Sequence, residues 1–592
     1  MKLIQERLDF ISFIKDNPTR ILAGIKSIPV SSFSLMPIGE YLLEDTNTVD
    51  LLAQWRNINV QVYPSRFTAT RASTKAWIKT HILHSASRIL FLVVDAQGHV
   101  VGHMGLSSVD NASHILEIDN VARWSESLPA NTFSDCISAL LQWAKSSMYV
   151  EGFTLRVFSA NARAINFYKK NNFVHTRNIP MVALPSSTAN CQKLVESLAP
   201  EEDSIIEIMH EMTYKESLEF IPESLILTAG PSVCQYEAYY AYDASLNGWN
   251  SRWSIYLDLL QNKFKEYIGV KYALATSSCT GAMHIALLAL GIGKGDEVIV
   301  PDQTWVATAN AVRYVDATPI FVDVNKDDWT INPAEIEKAI TNKTKAIMPV
   351  HMYGHPANME RVMEIAYKYN LFVVEDAAPS IGAEFNGKKT GSFGHFSAFS
   401  FQGAKLMVTG EGGMLLTDDD ELYIKARKIW DQGRNSEIGV PFWIDEKGLK
   451  YKMSNVQAAV GLGQINRIET LVAMKRRVFD WYARYLSNNP NIRLNYENRN
   501  CKSIYWMSSI EVLDNSPVKR DQLMALLRND NIDTRPVFPA ISQYPIWGEN
   551  DSSTGNVALH VGNTCINLPS GVLLSEAKIK YISSRINFHT GC

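Results

Sequence analysis

The pattern of apolar positions changes several times along the chain. In residues 1–29 the apolar side chains recur at helical spacing until Asn17-Pro18 interrupts them, which predicts a helix that docks through one face. The positions that share this spacing are Leu3, Ile4, Leu8, Ile11 and Ile14. We expect residues 1–34 to form a helical extension ahead of the first globular domain.

Between residues 35 and 182, helical and alternating patterns follow one another, which is typical of a mixed sheet covered by helices. A turn around Gly98 joins two of the strands as a hairpin. The predicted helices are Val49–Ile58, Ser73–His84, Thr132–Ser147 and Ala162–Asn171, and the predicted strands are Ile89–Val94, Val100–Leu106, His114–Val121 and Phe153–Val157.

The remainder divides into a polar segment and a long region of alternating strands and helices. Residues 183–222 are rich in proline, serine and acidic residues, so we interpret them as a linker with a helix-like stretch at Ser204–Tyr214. After residue 223 the alternation predicts a parallel sheet with covered faces, in a large α/β domain at 223–470. A small α+β domain is expected at 471–592. The predicted strands of the large domain are Tyr272–Thr276, Glu297–Val300, Pro319–Val324, Ala346–Val350 and Leu371–Val374.

Length and composition agree with this division and narrow the choice of partners. With 592 residues the chain is too long for one core, and 46% hydrophobic and 20% charged residues are ordinary for globular domains. A net charge of −4 gives no electrostatic reason to expect nucleic acid or an anionic membrane. The seven cysteines form no CxxC pair and the histidines no cluster at metal spacing. No apolar run approaches about 18 residues. We expect a soluble cytoplasmic protein without a metal that binds small molecules.

One lysine has an unusual setting. Lys405 follows an apolar, β-prone run and enters a glycine-rich segment in which no other charged residue occurs before Glu411. Burial disfavours an ammonium ion, so such a lysine has a lowered pKa and can form a Schiff base with an aldehyde. A solvated loop lysine is the alternative interpretation.

Asp376 favours the chemical interpretation of Lys405. It follows the predicted strand Leu371–Val374, and ligands bind at the carboxyl edge of parallel sheets. Pyridoxal 5'-phosphate needs a lysine amine and an acid that keeps its pyridine nitrogen protonated. Lys405 and Asp376 can fill these two roles, although an aspartate after a strand is commonly a helix N-cap. We therefore predict pyridoxal 5'-phosphate as a cofactor.

Several ordered motifs extend this interpretation over residues from about 225 to 592. They are Gly248–Ser251, Ser277–Ala282, Gly295–Pro301, Thr304–Thr308, Glu375–Ala378, the Lys405 segment and Tyr451–Ala459. Together they resemble the DegT/StrS-type nucleotide-sugar aminotransferases. The resemblance implies the aspartate-aminotransferase fold, fold type I of pyridoxal phosphate enzymes, and a homodimer with shared active sites. It also implies amino transfer from a donor such as glutamate to a nucleotide-linked keto sugar.

The same resemblance implies roles for individual residues. Cys279, through its backbone, and Thr280, through its hydroxyl, contact the cofactor phosphate at a helix start, where free amides favour a dianion. Ser400 adds a hydroxyl to this phosphate, and Trp305 stacks on the pyridine ring. Lys450 stands where many relatives carry an asparagine that reaches the phosphate of the neighbouring subunit. A lysine at this position keeps a donor and adds charge.

The segment Leu155–Phe173 resembles a second family, the GNAT acetyltransferase superfamily, which implies a GNAT-like domain at 35–182 with acetyl-CoA as co-substrate. The resemblance places Asn161 at a strand-to-helix turn near the pantetheine arm. It makes Tyr168 the acid that protonates the departing thiolate, whereas a packed aromatic residue is the alternative from helical spacing alone.

Two further observations concern this domain. Glu117 and Asp119 lie on one face of a predicted strand, and either could deprotonate an incoming ammonium; Glu117 is the predicted base. Superfamily members usually hold the coenzyme A pyrophosphate with a glycine-rich loop, whereas residues 125–132 contain no glycine, and Glu126 repels an anion.

These observations predict a bifunctional enzyme in which the C-terminal half aminates a nucleotide-linked keto sugar and the N-terminal half acetylates the new amine. One alternative treats residues 35–182 as a degenerate binding or dimerisation module without catalysis, as the missing glycines suggest. Another is a pyridoxamine-dependent sugar dehydratase, whose relatives carry histidine in place of the lysine. Lys405 argues against the dehydratase.

Overall fold

A computed structural model describes residues 1–124, 128–184, 192–197, 201, 204–434, 439–441, 443–547 and 556–592. The chain divides into two compact units, Met1–Ser217 and Leu218–Cys592. Each unit has its own sheets and its own apolar clusters. No helix of the described ranges is both long enough and apolar enough to cross a bilayer.

The first unit is built on one sheet. Its strands are β1 (Ile28–Val30), β2 (Phe33–Pro37), β3 (Ser65–Arg66), β4 (Ile89–Asp95), β5 (Val100–Ser107), β6 (Ile115–Arg123), β7 (Gly152–Phe158), β8 (Phe173–Ala183), β9 (Gln192–Glu196) and β10 (Ile205–Tyr214). They follow the order β1-β2-β4-β5-β6-β7-β10-β8-β9-β3. Neighbouring strands are antiparallel, except that the central pair β6 and β7 is parallel. The predicted mixed sheet is therefore confirmed.

The helices of the first unit include those predicted between residues 35 and 182. They are α1 (Lys2–Lys15), α2 (Arg20–Ile25), α3 (Thr46–Ile58), α4 (Arg71–Trp77), α5 (Thr132–Ser147) and α6 (Ala162–Lys170), with a π-helical turn at Ile78–Leu83 after α4. The predicted helix at 73–84 is thus divided into two parts.

The N-terminal helix is an integral part of this unit rather than a separate extension. Arg7 of α1 is fully buried. Its guanidinium donates to the carbonyls of Asn111 and Tyr149 at 2.8 and 3.1 Å and contacts Nδ1 of His114 at 2.8 Å. A buried guanidinium needs such partners, so Arg7 fixes α1 against the loop before β6 and the loop before β7.

The segment expected to be a linker contributes strands to the sheet. The predicted helix at Ser204–Tyr214 is wrong, because β10 lies there, between β7 and β8. Its apolar residues Ile205, Ile208, Met209 and Met212 fit helical spacing as well as a strand. Two open strand edges supply backbone partners on both sides of β10, and this pairing decides the conformation.

The second unit contains a seven-stranded sheet and smaller sheets. Its strands are β11 (Tyr272–Thr276), β12 (Glu297–Pro301), β13 (Thr318–Val322), β14 (Thr344–Ile347), β15 (Phe372–Asp376), β16 (Glu384–Phe385), β17 (Lys388–Lys389), β18 (Phe396–Ser400), β19 (Gly413–Thr417), β20 (Ile492–Leu494), β21 (Cys501–Lys502), β22 (Ser509–Val512), β23 (Arg535–Pro536) and β24 (Cys565–Asn567). The main sheet has the order β11-β19-β18-β15-β14-β12-β13, parallel from β18 to β13. The predicted parallel sheet is confirmed.

Helices cover both faces of this sheet. The α-helices in the described residues of this unit are α7 (Gln235–Asn247), α8 (Ile255–Ile268), α9 (Cys279–Ala289), α10 (Ala307–Tyr314), α11 (Pro333–Ala339), α12 (Met359–Tyr369), α13 (Asp420–Trp430), α14 (Asn455–Ile465), α15 (Ile468–Leu486), α16 (Arg520–Asn529), α17 (Asn556–Thr564) and α18 (Glu576–Thr590). One apolar cluster joins the sheet to α9, α10 and α13, and another joins it to α11 and α12.

The C-terminal part of this unit has its own antiparallel sheet, in the order β20-β22-β24-β23. Side chains of α15, α16 and α18 pack with it in a separate apolar cluster. The small α+β domain expected at 471–592 stays a prediction, because Leu218–Cys592 forms one compact unit.

Candidate active site

The central strand β15 ends in two buried carboxylates, Glu375 and Asp376, whose side chains point to opposite faces. Glu375 accepts hydrogen bonds of 2.7–2.8 Å from amides in the turn at 391–394 and contacts Nε2 of His351 at 3.0 Å. Burial opposes ionisation of Glu375, but His351 and these amides outweigh it and hold its pKa below the ordinary value. Glu375 is therefore a structural anion that fixes the sheet edge beside Asp376.

Asp376 is oriented by two hydrogen bonds. Its Oδ2 accepts from the Thr308 hydroxyl at 2.6 Å, and its Oδ1 accepts from the Ala378 amide at 3.1 Å. Each carboxylate oxygen keeps a further lone pair for another donor. Thr308 was not among the predicted site residues, because nothing in the sequence pairs it with a carboxylate 68 positions away.

Lys405 lies in a turn closed by a bridge between Gln402 and Gly410. Burial lowers the pKa of Lys405 to about 8, although the nearby Asp376 carboxylate acts to raise it. Strand pairing brings the three residues to one sheet edge: Asp376 pairs with Ala398 of β18, the strand that leads to Lys405, and Ser400 at the end of β18 pairs with Gly413, which lies against the Cys279 amide. An amine with this pKa is partly neutral at physiological pH and can act as a nucleophile and a base.

An aromatic ring covers the lysine amine. Nζ of Lys405 lies 3.6 Å from the ring centroid of Trp506, and the indole Nε1 donates to the carbonyl of Ala404 at 2.9 Å. The ring is therefore tied to the turn that carries the lysine. The sequence analysis missed Trp506, because it lies 102 positions after Ala404 in a segment without a motif.

The first turn of α9 provides an anion-binding group. Ser278 caps this helix by accepting a 3.0 Å hydrogen bond from the Gly281 amide. The amides of Cys279 and Thr280 also belong to the first turn, where a helix supplies no acceptor. Gly413 of β19 packs directly against this first turn of α9, since a Cβ atom at Gly413 would come within 2.6 Å of the Cys279 nitrogen. Burial raises the pKa of Cys279 well above its ordinary value, so its thiol stays neutral.

The remaining predicted residues occupy different settings. Ser400 ends β18 and pairs with Gly413, which brings its hydroxyl to the same edge as the start of α9. Trp305 is 56% exposed, and its ring centroid is 5.5 Å from that of Phe538. Lys450 is exposed, and its predicted contact concerns a neighbouring subunit.

The chemistry of these groups fits pyridoxal 5'-phosphate. Amides and hydroxyls at the start of α9 and the end of β18 suit a phosphate dianion. The oriented carboxylate of Asp376 suits a protonated pyridine nitrogen, and the amine of Lys405 suits an aldehyde. The absence of a side chain at Gly413 keeps the α9 amides in place against the sheet.

In the first unit, the parallel strands β6 and β7 separate part way along. Within the described ranges their pairing ends at Ile118 and Leu155, whereas the strands continue to Arg123 and Phe158. A register shift between β5 and β6 marks a bulge, and Asn120 there has φ of 52°. A bulge bends its strand, so the two strands diverge beyond it.

The acidic residues of β6 differ in their surroundings. Glu117 accepts hydrogen bonds of 2.6 and 3.0 Å from Arg156. Asp119 lies 2.9 Å from Nε of Arg88, and burial raises the pKa of Asp119 despite this cation. Burial also raises the pKa of Tyr168, and the Asp119 carboxylate adds to that effect. Asp119 is therefore a candidate base beside the predicted Glu117.

Asn161 and Asn131 each lie at the start of a helix. Asn161 is the N-cap of α6, with its Oδ1 accepting from the Ala164 amide at 3.1 Å. Residues 125–127, including Glu126, lie outside the described residues. Asn131 is the N-cap of α5 and accepts a 2.7 Å hydrogen bond from Lys170.

Comparisons with known proteins concern mainly the second unit. The family described as DegT/DnrJ/EryC1/StrS aminotransferase matches residues 236–587. The GDP-perosamine synthase of Escherichia coli O157:H7 is 40% identical over 357 residues, covering 60% of this chain and 96% of that protein. The GDP-perosamine synthase of Caulobacter vibrioides is 36% identical over 368 residues, covering 61% and 97%. A crystal structure of a DegT DnrJ EryC1 StrS aminotransferase from Brucella abortus has a TM-score of 0.57 and 28% identity, covering 60% and 96%.

Proposed function

Since the chain belongs to the DegT/DnrJ/EryC1/StrS aminotransferase family, we propose that the second unit uses pyridoxal 5'-phosphate as its cofactor and aminates a nucleotide-linked keto sugar. The observation that carries this proposal is the site shared by Lys405 and Asp376. The similar GDP-perosamine synthases are named for a GDP-linked sugar amine, which supports a GDP-linked keto sugar as acceptor. An amino acid, with glutamate as the first choice, supplies the amine.

The residues of the site have distinct tasks in this reaction. When bound, pyridoxal phosphate supplies an electron-withdrawing ring that stabilises negative charge on the substrate carbon. Asp376 holds a proton at the pyridine nitrogen, and Thr308 and Ala378 keep its carboxylate in position. Lys405 would hold the cofactor aldehyde through Nζ, with its oxygen leaving as water, and once freed would take up and return a proton at the same atom. Trp506 limits access of water to Nζ from one side.

The proposal is tested with the whole protein, a GDP-linked keto sugar and glutamate, with mass spectrometry of the products. Borohydride reduction and peptide mapping should locate the pyridoxyl group on Lys405. The Lys405→Ala variant should lose amination, whereas Lys425→Ala, at an exposed lysine on α13, should retain it. A pyridoxyl group on another lysine, or amination by Lys405→Ala, would contradict the assignment.

The proposal includes a homodimer in which Lys450 reaches the partner's cofactor phosphate. Its exposed side chain is compatible with this role. Subunits carrying Lys450→Ala and subunits carrying Lys405→Ala should each be nearly inactive. When mixed and allowed to exchange, they should regain activity, because one site of each hybrid dimer contains both lysines. Failure to complement would exclude the shared site.

We propose that the first unit N-acetylates the sugar amine from acetyl-CoA. The observation that favours this function is the divergence of β6 and β7 next to Asp119 and Tyr168. Asp119 takes the proton of the ammonium, and the freed amine attacks the thioester carbonyl. The carbon–sulfur bond then breaks, and the Tyr168 hydroxyl protonates the thiolate. Asp119 pairs with Arg88 as Glu117 pairs with Arg156, but burial raises the pKa of Asp119 despite this cation, which favours Asp119 as the base.

A second experiment adds saturating acetyl-CoA and follows both products with time. Tyr168→Phe should lower acetylation by about 10- to 1000-fold, in the range of a lost general acid, and should leave amination unchanged. Asp119→Asn should have a larger effect on acetylation than Glu117→Gln. Accumulation of the free amino sugar without an acetylated product would favour the alternative, a binding or dimerisation module.

A further inference from the structure

Tyr353 lies in a strained turn at the carboxyl edge of the main sheet of the second unit. Its φ of 48° and ψ of 24° belong to the left-handed region, which residues other than glycine seldom adopt. Its side chain is buried. The turn begins two residues after Val350, which bridges to Asp376. Strained backbone persists only where the surrounding contacts determine it, so the contacts of Tyr353 indicate its role.

The ring of Tyr353 packs against the ring that covers the lysine amine. Its centroid lies 5.8 Å from that of Trp506, with an angle of 35° between the ring planes. The adjacent Gly354 packs so closely that a Cβ atom there would come within 3.0 Å of the Trp506 nitrogen, and its carbonyl accepts a 3.1 Å hydrogen bond from Ile504. Both the ring and the turn of Tyr353 therefore support the position of Trp506, whose ring centroid is 3.6 Å from Nζ of Lys405.

Tyr353 also contacts Phe538, through both its ring and its hydroxyl. The two ring centroids are 5.6 Å apart, with an angle of 30° between the ring planes. The Tyr353 hydroxyl accepts a 3.4 Å hydrogen bond from the Phe538 amide and a 3.0 Å hydrogen bond from Nδ2 of Asn567. The carbonyl of Phe538 accepts a 2.6 Å hydrogen bond from Nε2 of Gln303. The backbone of Phe538 is therefore held at both its amide and its carbonyl.

Phe538 connects these contacts to Asp376. Its ring centroid is 5.5 Å from that of Trp305. The Trp305 carbonyl accepts from the Thr308 amide at 3.3 Å, and the Thr308 hydroxyl donates to Asp376 at 2.6 Å. Trp305 is exposed and Phe538 partly exposed, so these two rings form an aromatic wall that a ligand can reach. A continuous chain of contacts thus joins Tyr353 to both reactive groups of the site.

We propose that Tyr353 is a positioning residue for both reactive groups. Its ring holds Trp506 over Nζ of Lys405. Its hydroxyl holds Phe538 beside Trp305, in the wall against which the acceptor sugar packs. The task of the hydroxyl rests on the proposed amination of a keto sugar, whereas the task of the ring rests on the contacts of Tyr353 alone. Substitutions separate the two tasks, because phenylalanine loses only the hydroxyl while leucine loses both groups.

The pKa of Lys405 tests the task of the ring. The whole protein, freed of cofactor, is pulsed with acetic anhydride at a series of pH values, and mass spectrometry quantifies acetylation of Lys405. Tyr353→Leu should lower this pKa by about 0.5, since a loosened cation–π contact stabilises the ammonium less, and Tyr353→Phe should leave it unchanged. Tyr482→Leu is the matched control, because Tyr482 is also buried and donates to the Pro569 carbonyl, but belongs to a separate apolar cluster.

An unchanged or raised pKa of Lys405 in Tyr353→Leu would overturn the proposal. An equal decrease in Tyr482→Leu would also overturn it, because the effect would then follow from general loosening of the core. An equal decrease in Tyr353→Phe would assign the effect to the hydroxyl and overturn the task of the ring. Thermal unfolding shows whether Tyr353→Leu is folded. If it is not, Tyr353→Met takes its place, because methionine fills irregular spaces in a core.

The kinetics of amination test the task of the hydroxyl. Tyr353→Phe should raise the KM for the keto sugar by about 2- to 10-fold, the range of one lost hydrogen bond, with kcat unchanged. An unchanged KM for the keto sugar would overturn this task. Absence of amination by the unsubstituted protein would contradict the proposed function instead, and the pKa of Lys405 would still decide the task of the ring.

Discussion

Replacing Trp506 by leucine should lower the pKa of Lys405. The ring face lies 3.6 Å from Nζ, close enough for a cation–π contact that stabilises the ammonium form. Burial acts in the opposite direction and has already lowered the pKa of Lys405 to about 8. The ring of Trp506 therefore keeps the pKa of Lys405 higher than burial alone would make it.

The size of the effect follows from the energy of the contact. A partly desolvated cation–π contact contributes ~1–2 kcal/mol, and a change of one in pKa corresponds to ~1.4 kcal/mol. In Trp506→Leu the pKa of Lys405 should thus fall by ~1 from about 8. In Trp506→Phe the decrease should be smaller, because a ring face remains while the hydrogen bond to Ala404 is lost.

The assay measures the reactivity of one lysine at a series of pH values. The full chain, freed of cofactor with hydroxylamine, is pulsed with acetic anhydride, and mass spectrometry quantifies acetylation of the peptide containing Lys405. Trp443→Leu, at an exposed tryptophan, is the control variant. In the loaded enzyme, the acidic limb of the pH–rate profile should move to lower pH in Trp506→Leu.

An unchanged or raised pKa in Trp506→Leu would refute the reasoning. A raised pKa would mean that water entering beside Nζ stabilises the ammonium more than the ring does. An equal decrease in Trp506→Leu and Trp506→Phe would attribute the effect to the Ala404 hydrogen bond instead of the ring face.

Three further predictions concern the second unit. Asp376→Asn should reduce amination by at least about 100-fold with unchanged thermal unfolding, since the proton on the pyridine nitrogen is lost; near-normal turnover would exclude its role. Gly413→Ala should weaken cofactor affinity measured by absorbance titration, because its Cβ would meet the Cys279 nitrogen at 2.6 Å, whereas Gly293→Ala, with its first contact at 3.8 Å, should not. Burial lowers the pKa of Lys475 to about 7, below that of an unfolded lysine. Between pH ~7 and ~10 the unfolded chain therefore binds more protons, and stability should rise by up to ~1.4 kcal/mol per pH unit. Calorimetry at several pH values should show no such rise in the free energy of unfolding for Lys475→Met. A pH slope equal to that of the unchanged protein would contradict burial of Lys475 as the cause.

The residues that could be predicted from the sequence are those defined by their chain neighbours. Asp376 ends a strand that is recognisable from a short apolar run, and Lys405 is isolated in a glycine-rich turn. Thr308 and Trp506 act through contacts with residues 68 and 102 positions away, and no local pattern specifies such partners. Local patterns therefore suggest candidate reactive groups, but they do not identify the residues that contact those groups.

The first unit shows a different limit of sequence patterns. Glu117 and Asp119 were equivalent by alternation, and each has an arginine partner from another part of the chain, Arg156 for Glu117 and Arg88 for Asp119. The fold of β10 could not be assigned because its apolar positions suit a helix and a strand equally. Pairing with β7 and β8 is a contact between distant parts of the chain, and it outweighs local preference.

The position of β10 also determines when the first unit can complete its fold during synthesis. β7 and β8 emerge from the ribosome well before the strand that joins them, because β10 begins only at Ile205. Until then each presents an open backbone edge, which is a template for pairing with another chain. A shortened protein that stops at residue 182 would keep both edges open and should associate with its own copies. A chain that extends to Ser217 includes β10 and closes the sheet between them.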